Sequence, residues 1–234
     1  MHRKAINRAR GACSIGMLLG VAVITAACSP THASTPSPAT PAATATAGSI
    51  SAAAGAEQAA STLPAGNADT PMPAAGTCHA GSRDGQPLPD PQCTSGAVNP
   101  VVTQATISTT ICQSGWTKTV RPPTSVTNAM KVKSAQSYGL APTEKGEYDH
   151  LVSLELGGAV DDPRNLWVEV GPIPNPKDAV ENKLKEAVCA GLIPLATAQT
   201  AIAHQWVTAF DDAGLRVAGG KVCLRDNPSR CVGH

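Results

Sequence analysis

The composition of residues 29–76 limits where this chain can fold. The segment is built largely from Ala, Thr, Ser, Pro and Gly, and its only charged side chains are Glu57 and Asp69. Such a sequence buries too little apolar surface to offset the entropy lost when a chain is ordered. We therefore expect residues 28–76 to form a disordered tether. We expect residues 77–234, with a core at about 101–210, to form the folded domain.

The first 27 residues have the pattern of an export signal. A positively charged start is followed by an apolar stretch at residues 15–27. This stretch is too short to span a membrane, which takes about 20 apolar residues. Residues 25–28, Thr-Ala-Ala-Cys, resemble the lipobox of bacterial lipoproteins, in which the cysteine carries a lipid. We expect an exported protein, either attached to the outer face of the cell membrane by a lipid on Cys28 or secreted without one.

Six cysteines follow Cys28, and an even number in a chain with an export signal favours disulfides. They are Cys78, Cys93, Cys112, Cys189, Cys223 and Cys231. Six cysteines allow fifteen connectivities. Proximity at the two ends of the domain favours the pairs Cys78–Cys93, Cys112–Cys189 and Cys223–Cys231. A zinc site is the competing interpretation, but the chain has no Cys-x-x-Cys pair, and we expect no structural zinc.

The charge of the chain beyond the signal is not that of a dedicated nucleic-acid-binding protein. The whole chain has a net charge of +1, but four of its 18 Lys and Arg residues precede Cys28, which leaves 14 basic residues against 17 acidic ones. Residues 91–143 contain no acidic residue and include Lys118, Arg121, Lys131 and Lys133. This region is either a phosphate-binding surface or an ordinary solvated one.

Side-chain patterns predict the elements in the first half of the domain. Residues 101–112 are rich in β-branched side chains, which favour extended structure, and residues 116–120 suggest a second short strand before Pro122. Residues 125–138 have a helical pattern, and Gly139 suits the position after the helix.

The second half of the domain shows clearer signals. Residues 148–156 and 165–170 predict two strands joined through a Gly-Gly turn. Residues 177–190 predict a helix, with Asn175 as its N-cap. A further helix is expected at residues 195–210, and residues 216–234 predict a loop or short hairpin. The sequence therefore predicts an α+β fold, with a strand–turn–strand–helix core and additional helices.

The adjacent pair Asp149-His150 stands in the first of the two paired strands. A neutral imidazole accepts a proton near pH 7, which suits a general base. A carboxylate supplies the oxygen ligands that Mg²⁺ and similar hard cations prefer. The pair therefore places a candidate base beside a candidate metal ligand.

This layout, completed by Gly157-Gly158, Asn165-Leu166 and the Asn-capped helix, resembles the HNH nucleases, whose fold is called ββα-metal. The closer resemblance is to bacterial proteins described as HNH endonuclease-like, and it covers residues 90–210. It is carried by residues 112–117 (CQSGWT), 120–123 (VRPP), 149–158 (DHLVSLELGG) and 162–167 (DPRNLW), with Lys177, Asp178, Glu181 and Asn182. The chain departs from the family pattern at Ser153 and Val168, where proline is usual.

The resemblance implies a role for each matching residue. His150 would deprotonate the attacking water, and Asn165 would tie the hairpin loop and orient that histidine. Asp149 and Asn175 would bind Mg²⁺ or Mn²⁺, with Asn182 as an alternative to Asn175. Lys177 and Arg164 would contact the phosphate of the substrate.

Structural explanations compete with several of these roles. The N-cap position accounts for Asn175 without a metal, and Asn165 suits a purely structural role. Asn182 lies opposite the apolar face of its helix, whereas Glu181 lies nearer that face and would support a metal ligand from behind.

The expected function is hydrolysis of DNA, with RNA as a further substrate, by an exported nuclease that uses one divalent cation. Its partners would be the nucleic acid and, through Cys28, the membrane. An immunity protein is neither indicated nor excluded by the sequence. The alternative is a surface lipoprotein that keeps the scaffold for binding protein or cell wall and has no catalytic activity.

Overall fold

The computed structural model describes residues 61–141 and 144–233 as a mixed α+β structure with small antiparallel sheets. The predicted signal, Cys28 and residues 28–60 of the predicted tether lie outside the described residues. The strands are β1 (Gly81–Arg83), β2 (Gln86–Leu88), β3 (Gly146–His150), β4 (Leu166–Val170), β5 (Leu215–Ala218), β6 (Lys221–Leu224) and β7 (Cys231–Val232). The helices are α1 (Trp116–Val120), α2 (Thr124–Ser137), α3 (Lys177–Cys189), α4 (Leu195–Gln205) and α5 (Ala209–Asp212).

The antiparallel pair of β3 and β4 holds the Asp-His pair. Asp149 lies opposite Trp167 and His150 lies opposite Leu166 in the register of the two strands. The connection between them is not a tight turn, because it contains 3₁₀ turns at Leu154–Leu156 and Pro163–Asn165. His150 therefore ends its strand where a long, structured loop begins. The other strands pair as β1 with β2 and as β5, β6 and β7 in sequence order.

The hydrophobic core lies between α3, α4, α5, the loop after β3 and the β5–β6 strands. Leu156, Leu184, Val188, Ile202 and Leu215 are all completely buried there. The four residues predicted to share one side of the helix at 195–210, namely Ala198, Ile202, Trp206 and Ala209, are buried together. Burial of this apolar surface attaches the helices to the loop that follows His150.

Strongly patterned elements agree with the sequence prediction. The helix expected at 125–138 is α2, and Gly139 follows it with a φ of 66°. The helix expected at 177–190 is α3, and the strand expected at 165–170 is β4. The helix expected at 195–210 is interrupted, since a 3₁₀ turn at Trp206–Thr208 separates α4 from α5. The predicted terminal hairpin belongs to the three-stranded sheet.

The strand predicted at residues 101–112 is wrong. This region forms turns and a 3₁₀ turn at Ile107–Thr109. The hydroxyl of Thr106 accepts a hydrogen bond from Thr103 N at 2.8 Å and donates one to Val101 O at 2.8 Å. Threonine hydroxyls thus satisfy the backbone locally, which competes with strand pairing.

The strand predicted at residues 116–120 is also wrong, because these residues form α1. Gly115 precedes the helix in the left-handed region, with a φ of 80°, and so turns the chain before Trp116. The strand predicted at residues 148–156 is shorter than expected. It ends at His150, and Ser153 Oγ then accepts a hydrogen bond from Glu155 N at 3.0 Å to cap the 3₁₀ turn.

The tether was predicted to continue to residue 76, but the folded part of the chain already includes residues 61–76. Residues 61–76 are described and are attached by hydrogen bonds to the folded part. Gly66 N donates to Val98 O at 2.7 Å, Asn67 N donates to the carboxylate of Asp162 at 2.8 Å, and Ser137 Oγ donates to Pro73 O at 2.6 Å. Leu63 also packs against the hydrophobic core. Composition failed to indicate this attachment because most of its contacts are backbone hydrogen bonds to distant segments.

The three predicted disulfides are confirmed. Cys78 pairs with Cys93, Cys112 with Cys189 and Cys223 with Cys231. Disulfides of this kind persist in oxidising compartments, which agrees with export from the cell. Among the described residues, no helix has the length and apolar character needed to cross a membrane.

Replacement of Gly158 by Ala will destabilise the fold. A Cβ at this position would lie 1.7 Å from Val152 O and 2.8 Å from Asn165 Nδ2. We expect Gly158→Ala to lower the free energy of unfolding by about 3 kcal/mol or more, measured by urea denaturation with the disulfides intact. The control is Gly81→Ala, whose Cβ would meet nothing closer than Leu88 Cβ at 3.8 Å. A change within about 0.5 kcal/mol is expected for the control, and equal effects of the two variants would contradict the account.

Candidate active site

The carboxamide of Asn165 fixes the loop between β3 and β4. It is completely buried, and its Oδ1 accepts hydrogen bonds from Val152 N at 2.9 Å and Ala97 N at 3.4 Å. Its Nδ2 donates to Val152 O at 3.0 Å and Ala159 O at 2.9 Å. All four hydrogen-bonding positions of the amide are therefore used. Asn165 ties the loop as predicted, but it has no free group for a substrate, so its predicted catalytic role reduces to positioning.

His150 occupies the position that this loop creates. Its side chain is buried, with 5% of the residue exposed, and Nε2 lies 3.1 Å from Val160 O. Because a carbonyl only accepts, Nε2 carries the proton and Nδ1 keeps the free lone pair. Burial lowers the pKa of His150 to about 4, although the Val160 carbonyl and Asp149 oppose this change. His150 is therefore neutral at pH 7, in one fixed tautomer.

Lys177, the first residue of α3, is the centre of a cluster of charges beside His150. Its Nζ lies 2.6 Å from Asp149 Oδ2, donates to His150 O at 2.9 Å and also donates to Glu181 Oε1. The side chain of Lys177 is completely buried. Burial by itself lowers the pKa of Lys177, but Glu181 and Asp149 raise it above its ordinary value. The ammonium is therefore charged and is neutralised from within the protein.

Glu169 adds a third carboxyl group to the cluster of Asp149 and Glu181, and burial acts on the pKa of all three. Glu169 is almost completely buried on β4, and burial raises its pKa to about 8, with Asp149 acting in the same direction. Burial likewise raises the pKa of Glu181 to about 7, although Lys177 opposes this change. Burial also acts to raise the pKa of Asp149, but Lys177 outweighs it and the pKa is lowered. Near pH 7, Asp149 is the carboxylate that is ionised most firmly in this cluster.

The two candidate asparagine ligands are engaged elsewhere. Asn175 donates from Nδ2 to Glu147 Oε2 at 2.7 Å and accepts from Asp178 N at 3.3 Å, which is the hydrogen bond of a helix cap. Asn182 is exposed on α3, and its Nδ2 donates to Asp178 O at 2.8 Å. The N-cap explanation therefore accounts for Asn175, and Asn182 faces away from the hairpin.

The two predicted phosphate-binding residues are also committed to the fold. Lys177 is buried, so its ammonium does not face solvent. The guanidinium of Arg164 donates to Asp162 Oδ1 at 3.1 Å and to Ala65 O at 3.0 Å. Arg164 therefore clamps residues 65–67 to the domain together with Asp162, and neither predicted contact to a phosphate is formed by a free cation.

The acid-free region at residues 91–143 carries exposed cations. Arg121 is exposed at the end of α1, and its charge is one of the causes that lower the pKa of His150. Lys118 and Lys133 are exposed, whereas Lys131 Nζ donates to Gly146 O at 2.6 Å. The acid-free region singled out in the sequence thus contributes at least one positive charge to the surroundings of His150.

The divalent cation implied by the HNH resemblance does not fit these residues as they are arranged. Asp149 Oδ2 is paired with the ammonium of Lys177, and the carboxamide of Asn175 bonds to Glu147 and Asp178. A cation beside Asp149 would also meet the positive charge of Lys177. Within residues 61–141 and 144–233, no group of three or more His, Cys, Asp or Glu residues is arranged to hold a metal ion.

The Lys177–Glu181 pair is the part of the site that sequence reasoning missed. The signal was present in the helical periodicity, because Lys177, Glu181, Leu184 and Val188 follow one buried stripe of α3. Lys177 was assigned to the phosphate of the substrate, and Glu181 to the support of a metal ligand. Their spacing of four residues on that face instead indicates a buried ion pair.

Comparisons with known protein families, curated proteins and solved structures find no match for this chain. The resemblance to HNH nucleases therefore depends on the pattern of residues given above.

The stability of the protein will depend on pH through His150. Its pKa is about 4 in the folded protein and 6.5 as an ordinary value, so between these values the unfolded chain binds more protons. Stability that is fully present above pH 6.5 is therefore lost as the pH falls toward 4, by about 3 kcal/mol in total. We expect His150→Asn to flatten this part of the stability curve, measured by urea denaturation at each pH. Parallel curves for the two proteins would contradict the assignment.

Proposed function

We propose that this protein is an exported phosphodiester hydrolase, a nuclease of the HNH type, in which His150 accepts the proton of the attacking water. The observation that carries the proposal is the contact of His150 Nε2 with Val160 O at 3.1 Å, which leaves Nδ1 as the accepting nitrogen. A pKa of about 4 makes this a weak base. The negative charge of a bound phosphodiester would raise that pKa toward the range that favours proton transfer.

The charges around His150 support an anionic substrate on one side of the site. Arg121 is exposed and its charge acts on His150. The positive charge of Arg121 would bind a phosphate and offset the carboxylates of the cluster around Lys177, which otherwise repel nucleic acid. In this proposal Arg121 has the phosphate-binding role that the sequence assigned to Arg164 and Lys177. DNA is the proposed substrate, with RNA as a further one.

We also propose that the protein acts outside the cytoplasm. The three disulfides support an oxidising compartment. The export pattern at residues 1–27 and the lipobox-like Cys28 would place the protein outside the cytoplasmic membrane, either lipid-anchored or secreted. The HNH resemblance also predicts dependence on Mg²⁺ or Mn²⁺, but the pairing of Asp149 Oδ2 with Lys177 does not support a metal at that oxygen.

A second candidate function is a non-catalytic surface protein that uses this scaffold to bind protein or cell wall. The pairing of Asp149 with Lys177 at 2.6 Å favours it, because a carboxylate neutralised in this way is not free to act in catalysis. The burial of His150 favours it too, since water must reach Nδ1 for the proposed reaction.

Cleavage assays on the exported, oxidised protein separate the two functions. Supercoiled plasmid DNA and a structured RNA would be incubated with Mg²⁺, with Mn²⁺ and with EDTA. We expect cleavage that His150→Ala lowers by about 10²–10⁴-fold, the usual contribution of a general base. His204→Ala is the matched control, because the side chain of His204 is 76% exposed and lies on α4 rather than on the hairpin.

The remaining outcomes are equally informative. Because His150 is buried, the thermal unfolding of both variants would be measured, and His150→Asn would serve if His150→Ala does not fold. Cleavage that is unchanged in a folded His150 variant would refute the assigned base. A folded, oxidised protein that cleaves neither substrate under any of the three conditions would support the non-catalytic function.

A further inference from the structure

Lys177 is an unusual residue to find without solvent contact. A buried ammonium is tolerated only when its charge and its hydrogen-bond donors are satisfied. Three oxygens surround Lys177 Nζ, namely Asp149 Oδ2 at 2.6 Å, His150 O at 2.9 Å and Glu181 Oε1. The His150 carbonyl and Glu181 accept hydrogen bonds from the ammonium, and Asp149 adds an ion pair.

These oxygens come from two separate elements. Asp149 and the carbonyl of His150 belong to the end of β3, whereas Glu181 lies one helical turn after Lys177 on α3. The ammonium therefore links the first turn of α3 to the strand that carries the Asp-His pair.

The same oxygens are of the type that a hard divalent cation would use. Carboxylate and carbonyl oxygens bind Mg²⁺, Mn²⁺ or Ca²⁺ at about 2.0–2.6 Å. A metal bound to Asp149 Oδ2 would stand close to Nζ, and like charges at such a distance repel strongly in a buried site. The ammonium and a metal at Asp149 Oδ2 are therefore mutually exclusive in this arrangement.

We propose that Lys177 is the resident cation of this site and holds the place beside Asp149 that would otherwise accept a divalent metal. The wild-type site is consequently closed to Mg²⁺ and Mn²⁺. Removal of the lysine side chain leaves Asp149, Glu181 and the His150 carbonyl without a cation and opens a metal site. This inference concerns binding, so it holds whether or not the protein cleaves nucleic acid.

The test measures Mn²⁺ binding and thermal unfolding of the exported, oxidised protein, with NaCl added to match ionic strength. Electron paramagnetic resonance of Mn²⁺ should detect no bound ion in the wild type at Asp149, and the Tm should not respond to the metal. In Lys177→Ala, we expect the Tm to fall by about 10 °C in the absence of metal. Mn²⁺ should then bind and recover at least about 3 °C of the loss.

Two controls identify the site. Lys183 lies on the same helix and pairs with Glu186 at 2.7 Å, so Lys183→Ala removes an ion pair of α3 that is partly exposed. Lys183→Ala should gain no metal binding and should lose no more than about 2 °C. In the double variant Lys177→Ala/Asp149→Asn, the Mn²⁺ gained by Lys177→Ala should be lost again.

Two results would overturn the proposal. One is Mn²⁺ bound by the wild type and lost in Asp149→Asn, because the metal would then bind despite Lys177. The other is a folded Lys177→Ala variant that binds no Mn²⁺ and does not respond to it. If Lys177→Ala does not fold, the measurement on the wild type still decides the first result. Lys177→Met keeps the side-chain length, so it serves to test the predicted loss of stability.

Discussion

The buried carboxamide of Asn165 is the interaction on which the candidate site depends. It bonds to Val152 on one arm of the loop and to Ala159 on the other, and so closes the loop around a single side chain. The absence of a side chain at Gly158 gives the carboxamide the space it needs. Val160 follows directly after this closure, and its carbonyl fixes the ring of His150. The Val160 carbonyl thus sets the tautomer of His150, and the carboxamide of Asn165 holds the loop that positions this carbonyl.

A second constraint acts through charge. Lys177 joins α3 to the end of β3, and its ammonium lowers the pKa of Asp149 against the effect of burial. Burial meanwhile raises the pKa of Glu169 to about 8, so that Glu169 is largely protonated near neutral pH. The cluster therefore reduces its own negative charge by two means, an internal cation and a bound proton. Both make a buried acidic group tolerable without a metal.

The sequence predicted the parts of the fold that have strong local signals. The helices α2 and α3, the strand β4 and all three disulfides follow from periodicity, capping residues and cysteine spacing. Residues 101–120 were predicted wrongly, because threonine hydroxyls and Gly115 favour turns and a helix where β-branched side chains suggested strands. Residues 61–76 are attached mainly by backbone hydrogen bonds, which leave no signal in composition, together with the packing of Leu63 against the core.

The sequence also predicted some parts of the candidate site correctly and others wrongly. Adjacent residues of one strand, such as Asp149 and His150, are certain to lie together, and the loop-tying role of Asn165 follows from the family pattern. The pairing of Lys177 with Asp149 depends on how two distant segments pack, which the sequence does not show. Arg164 pairs with Asp162 two residues earlier, so its partner was local and was overlooked when both cations were assigned to phosphate. The role of Asn175 was also ambiguous in the sequence, because asparagine is suited both to capping a helix and to binding a metal.

The position of Lys177 is the central claim, and diffraction from crystals of the oxidised protein grown with Mn²⁺ tests it most directly. Anomalous scattering locates manganese without reference to the surrounding protein. The account predicts no anomalous peak beside Asp149, with electron density for Lys177 Nζ within hydrogen-bonding distance of Asp149, Glu181 and the His150 carbonyl. A manganese peak coordinated by Asp149, with the side chain of Lys177 turned away, would contradict it.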